Sequence, residues 1–375
     1  MAKFPFSILY SLRKYFPKRL RRWGNRNVYI PGFDRFVKAE DDPYRNDPPF
    51  QGYHESRYCI GIVTEFFHHH KHYIAACREM HQSYKLIDIT GPDWVKVVRE
   101  SECDAYLVWP SAARAWKEMF DERLKVMEEE LAKLVYPTYR EIWLYENKRR
   151  AFDWLTANDI PHPRTWVFYD YDQAIEFINN AEFPLVHKTN FGAAARGVTI
   201  LRQKTQAKKL VERAFTKGIV PPGNNPLDRQ WGSVLLQEFL PNVREWRTIR
   251  MGDSYFGYRK VQRGDFHSGT QLKAWEDPPK DLLNLVRHLT ELGSFTSMNA
   301  DVFETQDGRF LVNELHPVFG QSTDEAMRVA GKPGRYLFQP DQGEWLFEEG
   351  DFTRNACANL RLAYLRDNLL ASRLE

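Results

Sequence analysis

The stretch that most restricts how this chain can fold is "ADVFETQDGRFLVNELHPVFG", residues 300–320. Asp307-Gly308 is a favoured two-residue hairpin loop. With the turn there, antiparallel partners sum to 615, so Gln306 meets Arg309, Phe303 meets Val312 and Asp301 meets Glu314. The two acids become directly opposed neighbours with Cβ atoms roughly 5 Å apart, which is destabilising unless a cation intervenes or one is protonated. Period-two alternation puts Phe303, Thr305, Phe310, Val312 and His316 on the same face, so these acids are not on a merely solvated surface. A divalent cation is the simplest resolution, and hard carboxylate oxygens suit Mg²⁺ completed by phosphate oxygens and water. The other reading is a hairpin whose acids meet nearby lysines or arginines.

The rest of the chain supplies context for such a site. From Arg57, "RYCIGIVT", "YKLIDIT" and "CDAYLVWPS" read as strands separated by the helical "HHKHYIAACREMHQ" and "DWVKVVRES". This alternation predicts a small parallel sheet with crossover helices, whose ligands bind at the strands' carboxyl ends. Thr64–His72 and Ser111–Arg114 are then candidate substrate-facing loops. The stretch "YREIWLYENKRRAFDWLTANDIPHPRTWVF" reads as one helix followed by a strand, and "FPLVHKTNFGAAARGVTILR" as strand, small-residue loop, strand. Three strands over 233–266, a helix over 278–293 and the acidic hairpin form one of two α+β segments, around 145–210 and 233–325, that are distinct from the first α/β domain.

A cation held by two carboxylates suggests nucleotide phosphates. No G-x-x-x-x-G-K-[ST] motif occurs, nor a G-x-G-x-x-G after the first strand. Lys188 ends a strand, however, and small residues run from Gly192 to Gly197, where backbone N–H groups can approach phosphate oxygens.

Taken in order across residues 57–325, these pieces resemble the ATP-grasp superfamily. "ENKRRAFDWLTANDIPHPRTWVF" is similar to the family's lysine-bearing helix and following strand, and "FPLVHKTNFGAAARGVTIL" to its lysine strand and phosphate loop. "LLQEFLPNVREWR" resembles the hinge strand with its acid, and "NELHPVFG" the metal hairpin ending usually written E-x-N-x-x-P-G. The resemblance implies a mixed α/β and α+β fold: a Rossmann-like domain over 56–140, then a small lobe over 141–215 and a large lobe over 216–340 that enclose the nucleotide. Residues 1–55 would form a basic arm and connector, and 341–375 a helical tail.

Carried over position by position, the resemblance implies that Lys148, Lys188 and the loop residues Gly192, Arg196 and Gly197 contact ATP phosphates. Gln237, Phe239 and Leu240 would line the adenine pocket, and Glu245 would hold the ribose. Asp301 and Glu314 would bind Mg²⁺, while Arg259 and Arg263 would face the transferring phosphate. Bland alternatives exist for each, such as a helix-surface lysine at 148 or an ion-paired arginine at 259. Three departures stand out: "GAAARG" replaces a glycine/serine-rich loop, Thr189 stands where proline is common, and His316 takes the usual asparagine place. Imidazole suits Mn²⁺, Zn²⁺ or Fe better than Mg²⁺, so either His316 contacts phosphate or substrate or the metal position is altered.

The activity so implied is that of an ATP-dependent carboxylate–amine ligase acting on small-molecule or glycan substrates, with ATP and Mg²⁺ (or Mn²⁺) as cofactors. A kinase of the same fold and a degenerate nucleotide-binding protein are the alternatives. Composition agrees with a globular chain: 375 residues, 43% hydrophobic and 14% aromatic, with a net charge of +3 that argues against nucleic acid as partner. Four scattered cysteines and no spanning apolar run point to the cytoplasm. A homodimer is compatible with the sequence. Residues 1–27 carry eight Lys/Arg and no acid, interleaved with Phe4, Phe6, Ile8, Leu9, Leu12 and Phe16. That pattern suits either peripheral contact with an anionic inner-membrane surface, hence a lipid-linked glycan precursor as substrate, or packing on a neighbouring domain.

Overall fold

The alternation that begins at Arg57 builds a parallel sheet. A computed structural model describes residues 6–13, 15–17, 19–20, 44, 47–192, 197–221, 228–264, 272–320 and 325–373. A short helix α1 (Phe6–Arg13) precedes the first unit: β1 (Phe50–Gln51), β2 (Cys59–Val63), α2 (Lys71–Glu79), β3 (Ser83–Ile87), α3 (Trp94–Glu100), β4 (Ala105–Leu107), α4 (Arg114–Glu129) and β5 (Val135–Tyr136). Strand order is β1-β3-β2-β4-β5, with only the edge strand β1 antiparallel. Ile60, Ile62 and Val63 of β2 are fully buried, as parallel strands covered on both faces require.

The expected long helix over 139–159 is two. Helix α5 (Tyr139–Leu144) ends at Tyr145, and α6 (Lys148–Ala157) restarts after Glu146, whose φ is +50°. Asn147 caps α6 by accepting a hydrogen bond from Arg150 N. The break makes Lys148 the first residue of a helix rather than one more charge on a helical surface. Helix α5 opens with a capping box between Thr138 and Glu141. The same buried Glu141 carboxylate accepts from Thr296 N and Ser297 N at 2.8 and 2.7 Å, which fixes the start of the strand carrying Asp301.

A four-stranded antiparallel sheet follows, built from β6 (Thr165–Phe168), α7 (Tyr171–Asn180), β7 (Leu185–Lys188), β8 (Val198–Leu201), α8 (Lys204–Thr216) and β9 (Val234–Glu238) in the order β6-β9-β7-β8. The large sheet comprises β10 (Arg244–Met251), β11 (Ser254–Lys260), β12 (Lys273–Ala274), β13 (Ser297–Glu304), β14 (Phe310–His316), β15 (Arg328–Val329), β16 (Lys332–Gln339) and β17 (Glu344–Glu349). Helix α9 (Lys280–Gly293) lies between β12 and β13 in the chain and buries Leu282, Leu283, Val286 and Leu289 in the core of this sheet. Each buried leucine contributes about 1.5–3 kcal/mol. The segment expected as a helical tail begins instead with strand β17, which extends the sheet; helix α10 (Ala358–Tyr364) follows and packs back into the first unit's core.

Candidate functional site

Asp301 and Glu314 are cross-strand partners, as the hairpin predicts, but the intervening register is not the simple one. Next to the turn Glu304 pairs with Phe310, Phe303 with Leu311 and Val302 with Val312. A shift between Asp301 and Val302 then leaves Asn313 as the extra residue of a β-bulge and restores the Asp301–Glu314 pair. The hairpin loop is therefore one residue off a two-residue turn, and Val312 joins the core instead of the acids' face. The bulge has a use: the Asn313 amide oxygen accepts a 2.6 Å hydrogen bond from Lys188 Nζ.

The acids are held among cations. Arg247 Nε and Nη2 reach the Asp301 carboxylate at 3.1 and 3.3 Å, and Lys260 bridges Asp301 and Glu245. Burial pushes the Asp301 carboxyl upward, but Arg247 and Lys260 outweigh it and hold the pKa well below the usual range. Glu314 is treated likewise: burial opposes ionisation, and Lys148, His316 and Lys188 overcome it. Lys148 Nζ lies 3.6 Å from Glu314, and His316 Nε2 lies 3.1 Å from the other Glu314 oxygen. Both acids are thus anionic and on one face with His316. Single ligand atoms of the three residues lie within 4.8 Å of one another, a donor set able to converge on one cation.

Lys148 and Lys188 approach this face from the small sheet and α6. Lys148 also donates to the Gly192 carbonyl at 2.9 Å. Burial works against its charge, yet Glu314 and Glu146 raise its pKa, whereas burial draws Lys188 down to about 8. The loop between β7 and β8 is anchored at both ends. Gln230 accepts from Asn190 N at 2.6 Å and donates to Phe191 O at 3.1 Å, and Thr189 N donates to Gly197 O at 2.9 Å. A Cβ on Gly197 would sit 1.8 Å from Thr189 Oγ1, so the threonine that departs from the family pattern requires a glycine opposite it. Gly192 has φ +136°. Arg196 lies outside the described residues.

Between the small and large sheets is a cavity of about 320 Å³. Lys148, Lys188, Asn313 and Glu314 line one part of it; Phe239, Leu240 and Glu245 line another, with Gln237 also on its wall. Gln237 donates from its side-chain amide to Thr165 Oγ1 at 2.9 Å. This volume falls within the usual range for small-ligand sites.

Two expected cations are elsewhere. Arg259 pairs across strands with Trp246, on the face opposite Arg247 and Asp301, and forms an ion pair with Glu276. Arg263 is exposed, and no contact ties it to the acids among the described residues. The cations beside Asp301 are Arg247 and Lys260. Alternation from Glu245 selects both, because Glu245 pairs with Lys260 and Arg247 with Tyr258 on the acids' face.

The loops of the first unit are partly committed to structure. Arg114 N donates to Asp228 at 3.2 Å, and its guanidinium reaches Arg229 O at 2.8 Å, so the 111–114 loop buttresses the neighbouring segment. Within 65–72, His70 Nδ1 accepts from Glu65 N, while the His69 and His72 rings stack on Trp109 at 5.4 and 5.3 Å. Burial lowers the His72 pKa to about 4, aided by Lys71 and Arg361.

Two facing sheets thus enclose a cleft with Lys148 and Lys188 on one wall and a carboxylate-rich hairpin on the other. Residues 145–282 match the model of the RimK-like ATP-grasp domain. Coenzyme gamma-F420-2:alpha-L-glutamate ligase of Methanocaldococcus jannaschii is 24% identical over 200 residues, which cover 50% of this chain and 64% of that protein, just short of two thirds of its length. A RimK domain ATP-grasp protein from Sphaerobacter thermophilus superposes with a TM-score of 0.50 at 17% identity, over 68% of this chain and 89% of that one. N5-carboxyaminoimidazole synthetase from Staphylococcus aureus, complexed with ADP, gives 0.52 at 13% identity, over 78% and 85% of the two chains.

Proposed function

We propose that this chain is an ATP-dependent ligase that activates a substrate carboxylate as an acyl phosphate and joins it to an amine. One observation carries the reading: Asp301 and Glu314 are opposed across the hairpin, and Glu314 lines the cleft together with Lys148 and Lys188. A magnesium ion at these acids would neutralise charge on the ATP phosphates. Lys148 and Lys188 orient those phosphates, and Gln230, which accepts from Asn190 N and Phe191 N, holds the turn that leads from Lys188 into the loop. Glu245, Phe239 and Leu240 receive the nucleoside. Arg247 and Lys260 stand beside Asp301, where they can stabilise the charge of a loose phosphoryl-transfer transition state. These cations take the role first assigned to Arg259 and Arg263.

An amino acid is the natural amine, in line with the glutamate in the archaeal relative's name. We also infer that the N-terminal arm meets an anionic membrane surface, which would bring a lipid-linked acceptor within reach. Ile8, Leu12, Phe16 and Leu20 are each about half exposed, as an interfacial segment requires. Deleting residues 1–27 should abolish co-sedimentation with anionic vesicles; unchanged partition would sink that part alone. For the chemistry, Asp301→Asn and Glu314→Gln should each lower ADP release by at least ~100-fold. Full turnover in either variant would show the cation assignment wrong, and ADP accompanied by a phosphorylated alcohol would make the protein a kinase.

A further inference from the structure

We propose that His316 supplies a nitrogen ligand to the cation site, so that the site selects Mn²⁺ or a similar transition-series dication over Mg²⁺. This rests on the reading of Asp301 and Glu314 as cation ligands and adds the identity of the ion.

The geometry is specific to this hairpin. His316 lies two residues beyond Glu314 on β14, so the strand turns both side chains to one face. Its Nε2 is directed at that face, 3.1 Å from a Glu314 oxygen, and a ligand atom from each of His316, Glu314 and Asp301 lies within 4.8 Å of the other two. The ring is only 14% exposed and packs edge-on against Tyr145 at 6.3 Å and 79°, which restricts its rotation. Directly across the ladder is Asn299, fully buried, whose amide donates to Asp301 at 3.3 Å. The Asn299 Oδ1 atom has no hydrogen-bond partner among the described residues, a costly state that water bound to a cation would relieve.

The chemistry of the donors then decides the ion. Mg²⁺ binds through oxygen in a near-ideal octahedron and gives up its waters reluctantly. Neutral imidazole is a softer donor that first-row transition dications, Mn²⁺ included, take more readily than Mg²⁺ does. Two carboxylates and one imidazole on adjacent strands form a mixed oxygen–nitrogen set. Replacing the amide of the related motif by imidazole moves the preference from Mg²⁺ towards Mn²⁺ and its neighbours.

The test uses the full chain with Mn²⁺ alone and with Mg²⁺ alone, and then each with a non-hydrolysable ATP analogue. Calorimetric titration should give Mn²⁺ an affinity at least roughly tenfold above that of Mg²⁺. Pulsed electron paramagnetic resonance of the Mn²⁺ form, recorded without nucleotide, should reveal coupling to a directly bound nitrogen, and ¹⁵N-histidine labelling should change its isotope pattern. His316→Asn should remove that coupling and narrow the Mn²⁺/Mg²⁺ ratio while binding of the ATP analogue persists. Mn²⁺ bound without nitrogen coupling in the parent protein would overturn the proposal, and that measurement needs no variant to fold. An unchanged ratio in His316→Asn would overturn it as well. The underlying reading fails separately: Asp301→Asn with undiminished metal affinity would remove the carboxylate site itself.

Discussion

At the scale of single residues, one position outside the expected set, Asn313, and one within it, Gly197, shape the surroundings of Lys188. Asn313 exists on the acids' side only because of the bulge, and it anchors a lysine whose charge burial opposes. Asn313→Leu should leave Lys188 without that acceptor and weaken binding of an ATP analogue by about 1–3 kcal/mol, read by calorimetry. Unchanged affinity would show the bulge contact to be incidental. Gly197 answers to Thr189: an alanine Cβ would lie 1.8 Å from the threonine oxygen and 3.1 Å from its Cβ. Gly197→Ala should therefore lower nucleotide affinity at least ~10-fold, and adding Thr189→Ala should restore most of it. A double variant no better than the single one would argue against this pairing.

At the scale of elements, legibility depended on whether a residue's role followed from period and turn chemistry. The parallel sheet, the β7–loop–β8 unit and the Asp301–Glu314 pair all follow from local patterns. The bulge does not, because one extra residue is invisible to a period-two count and is offset by the loop at the other end. The break at 145–147 was hidden as well, since Tyr-Glu-Asn reads as ordinary helix interior until Asn147 is seen as a cap. The family resemblance points to Arg259, whereas strand alternation from Glu245 puts Lys260, not Arg259, on the acids' face. His187 gives the small sheet a pH dependence. It sits between Thr199 and Leu236 with Nδ1 unpartnered among the described residues, and burial lowers its pKa from the ordinary 6.5 to about 4. The unfolded chain then binds more protons between pH 4 and 6.5, so stability rises with pH through that window and is lost on acidification. His187→Leu should reduce the fall in urea stability between pH 7 and pH 5 by about 1–2 kcal/mol. His72 titrates in the same direction and will leave a residual slope. Identical slopes in parent and variant would contradict the assignment.

At the scale of the whole molecule, the first unit and the large sheet are joined around a buried arginine. Arg361 of α10 is fully buried, donates to Ser297 Oγ at 2.9 Å and Pro317 O at 3.2 Å, and lies against the rings of Trp109 and Phe319. It links the parallel sheet's core to both ends of the acidic hairpin. Arg361→Leu should cost about 2–4 kcal/mol in urea unfolding and loosen cation binding with it; a variant of parental stability would show that other contacts hold the units together. This joint positions the hairpin, and the hairpin positions the acids on which the proposed acyl activation rests. The most direct test is a hydroxylamine trap: the protein, ATP, Mg²⁺ or Mn²⁺ and a panel of carboxylates that includes acidic amino acids, with ADP and acyl hydroxamate measured together. Hydroxamate formed in step with ADP, dependent on one carboxylate and lost in Glu314→Gln, is the predicted result. Nucleotide turnover that never yields hydroxamate, with the phosphate recovered on a hydroxyl group, would contradict it.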